Sequence, residues 1–533
     1  MIHKSKFFIA FFVFVFSCLL SLIIVSKQTD TPEIKCLCES GAYIDLFEYH
    51  FLSYNLYSKN AFPVLGFLGK EGAYHFCADR KDDVPMHEFY LGLFKKGGSV
   101  TITTRPPVYP FLMAAVYKIF GYDLKRAEEL NCFLFAVMFA IMATFGWWYG
   151  SWPGLIGGVI AGTILLWFNP YNNSYLLPDI TLVFLTLLFF VVAFVAASTR
   201  RKAVFFASGL IFALGLLTKG MLLPLLPLII AALLFVYGLG KGANYSMSFI
   251  SGVVLILLPW VIFINETNVK TKGERDRWLS FLHHECPIVQ KESYADLVAD
   301  NNAKTISLKG LINYFYSFYM QSPPFIMLTS QVSGEVMYRY HNELCSDGDI
   351  HAEFILLKNS FYNTYQGSET GYGKILAFYK KHPWNLGRFA WAKLKLGFLS
   401  NEFPLLLWSV IITAFAVLIQ LFSSNKKVKL LLIASLLLLV AIQCSLNAKA
   451  LVLAVALIIP IPIFIIQRKP NSPQFFIGVL FLLLWYTMAF ITVFFNGCEE
   501  YTGIIIAIAA AMLVHGFSYL IRIFLNAFLR TSE

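Results

Sequence analysis

The sequence predicts an all-α polytopic membrane protein. Three observations carry that prediction. The 533 residues are 58% hydrophobic and 17% aromatic, and 14% are charged. A water-soluble chain of this length does not hide so much apolar surface. Apolar segments close to the ~20 residues needed to cross the hydrocarbon core recur along the chain. They lie at 7–25, 129–147, 153–169, 176–197, 203–218, 220–238, 245–264, 402–422, 428–446, 450–466, 474–495 and 501–524, about twelve spans in all. The basic residues between them fall on one side. The formal charge of +11 therefore reflects cytoplasmic loops. No basic run is long enough to track a nucleic-acid backbone, so nucleic acid is not an expected partner.

The first element, 7–25, follows a basic start (MIHKSK) and lacks an A-x-A cleavage site. It reads as a retained span with its N-terminus in the cytoplasm. The next apolar stretch, RPPVYPFLMAAVYKIFG at 105–121, is the ambiguous one. Connection charges decide it. If it does not span, Arg200, Arg201, Lys202, Lys241, Lys426, Lys427, Lys429, Arg468 and Lys469 are all cytoplasmic. The external connections then carry Asp179, Lys219, Lys449, Glu499 and Glu500. If it spans, the TRRK and NKKVK runs both move outside, against the positive-inside rule. The stretch is also short, and Lys118 interrupts it. It reads as an amphipathic helix on the external membrane surface. Pro106 and Pro107 suit its start and Gly121 its end.

The resulting organisation is an N-terminal span (1–27), a first external loop with juxtamembrane helices (28–125) and a core of transmembrane helices (126–265). A second external segment (266–400) and C-terminal transmembrane helices (401–533) follow. The GGVIAG run at 157–162 reads as close helix packing. Cys36, Cys38, Cys77, Cys286, Cys345 and Cys498 fall outside, where disulfides are permitted. Cys36 and Cys38 are too close in sequence to bridge each other easily. His75 with Cys77, or the HHEC run at 283–286, is a weak metal motif.

The middles of the spans are nearly free of ionisable residues, although a proton- or ion-coupled transporter usually needs some there. The charged groups gather instead at the external surface. Asp45 and Glu48 of DLFEY share a helix face, a spacing that suits one general base and one supporting acid. Arg105 stands immediately before the double proline, where a fixed guanidinium suits a phosphate as well as a lipid headgroup. Asp179 closes the turn NPYNNSYLLPD, where an acid also complements a helix N-terminus. Lys219 of LLTKG is external against the charge trend and needs a partner, either a lipid headgroup or a substrate phosphate.

Five pieces in this order carry a resemblance: D-x-x-E-Y at 45–49, RPPVYPFLMAAVYKIFG at 105–121, LLPD at 176–179, GLIFALGLLTK at 209–219 and LPWVIFIN at 258–265. The chain resembles the polytopic glycosyltransferases of the GT-C fold, in particular glycosyltransferase family 39. That superfamily includes the protein O-mannosyltransferases and the aminoarabinose transferases. The likeness covers about the first half; beyond 265 only topology agrees.

The resemblance implies a GT-C-like bundle that uses a polyprenyl-phosphate-linked sugar as donor. The acceptor would be a hydroxyl of a glycan, lipid or protein, and the anomeric centre would be inverted. It makes Asp45 the catalytic acid residue, supported by Glu48. Arg105 and Lys219 would hold the donor phosphate. Asp179 would position a cation or the acceptor, with Tyr49 and Tyr109 positioning substrate. Some relatives bind a divalent metal, but no ligand set in this sequence requires one. The implied location is a bacterial inner membrane with the site on its periplasmic face. A lipid or oligosaccharide transporter and an envelope glycan polymerase or ligase are the competing readings.

Overall fold

In the computed structural model, the described residues are 2–26, 49, 52–58, 60, 64–66, 99–101, 106–122, 125–167, 178–223 and 225–285. Residues 431–439 and isolated positions beyond 285 are described as well. These residues are helical apart from one antiparallel ribbon, which sequence reading did not anticipate. In it β1 (Val64–Gly66) pairs with β2 (Ser99–Thr101), Leu65 opposite Val100.

The helices are α1 (Ile2–Ser26), α2 (Val108–Phe120), α3 (Lys125–Trp167), α4 (Asp179–Thr199), α5 (Lys202–Leu216) and α6 (Leu225–Glu285). Among the described residues, three helical stretches are long and apolar enough to cross a membrane: Glu129–Trp148, Asp179–Thr199 and Leu225–Phe263. The expected segments beyond 400 lie almost wholly outside the described residues, and the count of about twelve with them.

Two of the long helices are folded back on themselves. Ser151, at φ 54° and ψ −132°, breaks α3. Its two arms lie antiparallel and so close that a Cβ on Gly146, Gly154 or Gly158 would strike backbone oxygen of the opposite arm. Gly158 and Gly162 of the GGVIAG run thus serve packing, as expected: between apolar helices in lipid, close van der Waals contact replaces the hydrophobic drive. Gly238, at φ 76°, breaks α6 in the same way, a conformation that costs glycine little. The break divides the expected spans 220–238 and 245–264 at the place the sequence indicated.

A left-handed Arg200 (φ 55°) turns α4 into α5. The α5 helix has 15 residues, short of the ~20 that an upright span needs. Basic groups flank it at both ends, Arg201 and Lys202 before and Lys219 after. It crosses the second arm of α6 closely: a Cβ on Gly209 would strike the Phe249 carbonyl, and one on Gly252 that of Phe206. Phe189, Phe212 and Phe249 fill the space among α4, α5 and α6. At the Arg200 end, Phe205 stacks on Tyr245 at 4.5 Å, and Phe476 from the segment 474–495 packs against Phe205 and Tyr237.

The α1 helix packs on α3, where the buried Ser21 hydroxyl donates to the Ala136 carbonyl at 3.2 Å. Its other face exposes Phe11, Phe12, Phe16, Leu19 and Ile23, as a lipid-facing helix does. The last helix does not stop where the span was expected to end. The second arm of α6 runs on to Glu285, so the start of the expected second external segment is helical for roughly 30 Å.

Candidate functional site at the foot of the amphipathic helix

The ambiguous stretch forms a 13-residue helix, α2. At 1.5 Å per residue it measures about 20 Å, too short to cross a ~30 Å core. It buries Tyr109, Pro110, Met113, Ala114 and Tyr117 along one stripe and exposes Phe111, Lys118, Ile119 and Phe120. That pattern fits a helix lying against protein on one side and an apolar medium on the other. Gly121, at φ 85°, ends it by donating to the Tyr117 carbonyl at 3.0 Å.

The start of α2 is fixed by a long-range backbone bond. The first four N–H groups of a helix lack partners within it, as do the last carbonyls of another. Val108 N–H, from the first turn of α2, donates to the Leu217 carbonyl, just past the end of α5, at 3.0 Å. One bond thus satisfies two terminal groups. It also ties the RPP start to the LLTKG turn, which are 109 residues apart in sequence. Thr218 is fully buried, and its hydroxyl donates back to the Leu214 carbonyl at 2.8 Å.

Lys219 follows directly and donates from Nζ to Asp179 Oδ1 at 2.8 Å. Asp179 is 2% exposed and Lys219 14%. Sequence reading gave Lys219 a headgroup or a phosphate as partner; the structure gives it a carboxylate on α4. The physical reason is that Asp179 is buried, and a buried carboxylate is stable only when paired. Asp179 also opens α4, so it complements the helix dipole as well.

Tyr109 joins this pair. It is 1% exposed, and Tyr49 meets its ring edge-on at 5.7 Å. Its phenol is held strongly protonated, first by burial, then by the negative charge of Asp179, with a smaller contribution from Tyr49. Among the described residues, neither the Tyr109 hydroxyl nor Asp179 Oδ2 has a hydrogen-bond partner, though both are buried.

Four residues selected from the sequence, Tyr49, Tyr109, Asp179 and Lys219, are therefore brought together from four places in the chain. The other three, Asp45, Glu48 and Arg105, lie outside the described residues, as do His75 and the six cysteines expected outside; of the HHEC run, the backbone of 283–285 is described and forms the end of α6. The site sits at the end of the α4–α5 hairpin opposite Arg200, Arg201 and Lys202. No cluster of three metal-ligating side chains occurs among the described residues.

Sequence reading missed one feature. Tyr54, Tyr57, Tyr117 and Tyr122 form an aromatic cluster, with centroids 4.8 to 6.2 Å apart. It packs the helical residues 52–58 against the far end of α2, and Lys118 donates to Asn60 Oδ1 at 2.6 Å beside it. The tyrosines at 49, 54 and 57 in EYHFLSYNLY were the available signal.

Compared with family models, with curated proteins and with solved structures, the chain shows no match.

Proposed function

We propose that this protein is a membrane glycosyltransferase that moves a sugar from a polyprenyl-phosphate donor to an acceptor hydroxyl on the external face of the membrane, with inversion. The observation that carries the reading is the buried Lys219–Asp179 pair, joined through Val108 to the start of α2. A cation fixed by a buried carboxylate, beside a helix too short to span, is suited to a phosphate presented at the headgroup plane. An external site has no supply of cytoplasmic nucleotide sugars, so a lipid carrier is the natural donor. The hairpin end opposite the basic Arg200 cluster is the external one under the positive-inside rule.

In this reading Lys219 and Arg105 stabilise the departing lipid phosphate. Asp45 accepts the proton of the attacking hydroxyl, with Glu48 in support, and Tyr49 and Tyr109 shape the pocket. The acceptor is a glycan, lipid or protein, and the membrane is the inner membrane of a bacterium. The decisive experiment is transfer from a polyprenyl-phosphate sugar by Asp45→Asn. Transfer is expected to vanish at unchanged protein level. Full activity in that variant removes the catalytic role of Asp45, and an inactive wild type with every such donor removes the proposal.

A further inference from the structure

We propose that Tyr109 Oη and Asp179 Oδ2 form a subsite for one hydroxyl of the sugar being transferred, an inference that rests on the donor reading above. Two buried polar atoms without partners among the described residues are costly, so their persistence on neighbouring side chains calls for an occupant. The two side chains sit on elements fixed to each other. Val108, next to Tyr109, is bonded to Leu217, and Lys219, two residues on, holds the other oxygen of Asp179.

The chemistry of the two atoms selects the occupant. The Tyr109 phenol is neutral and offers a donor; Asp179 Oδ2 is an acceptor. The complement is a group that accepts one hydrogen bond and donates another, which describes a hydroxyl. A phosphate oxygen is rejected there by the Asp179 carboxylate. Among the described residues, a divalent cation would meet one carboxylate, already neutralised by Lys219, and no cluster of ligands around it.

Stereochemistry then assigns the hydroxyl to the donor sugar. In an inverting displacement the acceptor attacks from the side opposite the leaving phosphate. Asp179 touches Lys219, the phosphate-binding cation, so its free oxygen lies on the leaving-group side. The sugar hydroxyl next to the anomeric carbon is the one within reach of a group there. Asp179 accordingly reads the sugar, in place of the cation or acceptor role that the resemblance implied.

The test measures binding to the full-length protein in lipid nanodiscs. The probes are decaprenyl phosphate without sugar, the same lipid carrying glucose or mannose, and their common 2-deoxy form. Tyr109→Phe keeps the ring that packs against Tyr49 and removes only the hydroxyl. It is expected to weaken binding of the preferred sugar-bearing lipid about tenfold, the size of one hydrogen bond in a charged pocket. Bare decaprenyl phosphate is expected to bind it as it binds the wild type. Wild-type protein should lose a similar factor with the 2-deoxy lipid, and Tyr109→Phe should add little to that loss. Equal weakening of bare and sugar-bearing lipid overturns the subsite. So does a changed melting temperature with both affinities intact, which makes the occupant a structural water. If Tyr109→Phe fails to fold, the 2-deoxy lipid on wild-type protein decides alone, and undiminished binding refutes the subsite. Binding of bare lipid with no gain from either sugar sinks the subsite and leaves the donor reading standing. Failure to bind any of the lipids sinks both.

Discussion

Replacing Lys219 by Met separates the structural task of the ion pair from its proposed chemical one. Asp179 is 2% exposed, and Lys219 donates to it at 2.8 Å. Removing one partner of a buried pair leaves an uncompensated charge, at a cost of about 3–5 kcal/mol. The position of Asp179 in the first turn of α4 offsets about 0.3–1 kcal/mol of that. The net expectation for Lys219→Met is a destabilisation of roughly 2–5 kcal/mol. The double variant Lys219→Met, Asp179→Leu removes both charges and fills the volume with apolar atoms. Such replacements are neutral or stabilising by about 1–4 kcal/mol in other proteins. The double variant should therefore recover most of the wild-type stability while remaining unable to transfer sugar. Thermal unfolding of detergent-purified protein, with transfer measured on the same preparations, checks both. A double variant as unstable as the single one refutes the pairing argument. Wild-type stability in the single variant refutes the burial argument. Transfer by a well-folded double variant refutes the phosphate role.

The raised pKa of Tyr109 has a defined sign. A phenol more basic in the folded state stabilises the fold below its unfolded value of ~10, and that contribution is lost as pH rises further. Above pH ~10 the wild type should lose stability faster than Tyr109→Phe, by up to about 1.4 kcal/mol per pH unit, as seen by comparing melting temperatures across alkaline buffers. Identical slopes would show that the phenol is not buried in solution. Gly158→Leu forces side-chain atoms into the backbone of the opposite arm of α3, so it should cost on the order of 1–3 kcal/mol or prevent folding; unchanged thermal stability argues against the tight hairpin. A cysteine introduced at residue 123, just past α2, should react with membrane-impermeant thiol reagents from the external side. Labelling from the cytoplasm alone would make the preceding stretch a span.

The legibility of the chain differed by element. Helices from α1 to α6 follow from apolar length and from Gly, Pro and charge at their ends, which are local properties. The same applies to the shortness of α2, since 13 residues and one lysine are countable without coordinates. The extension of α6 to Glu285 was missed because its apolar character ends near Phe263 while its helix does not. The strands β1 and β2 were missed because three-residue elements carry no measurable period.

For the site, the sequence by itself determined which residue types were available and that Asp179, Lys219 and Tyr109 stood at helix ends, where side chains are free of the helix interior. Tertiary structure decided how they meet. Lys219 reaches Asp179 across 40 residues because the α4–α5 hairpin closes at Arg200 and returns the chain to its starting level. Tyr109 comes near Asp179 because one backbone bond docks α2 on the turn after α5. Periodicity and composition report how each segment meets apolar surroundings. They carry no term for the distance between two segment ends, and that distance turned an isolated lysine into half of a buried pair.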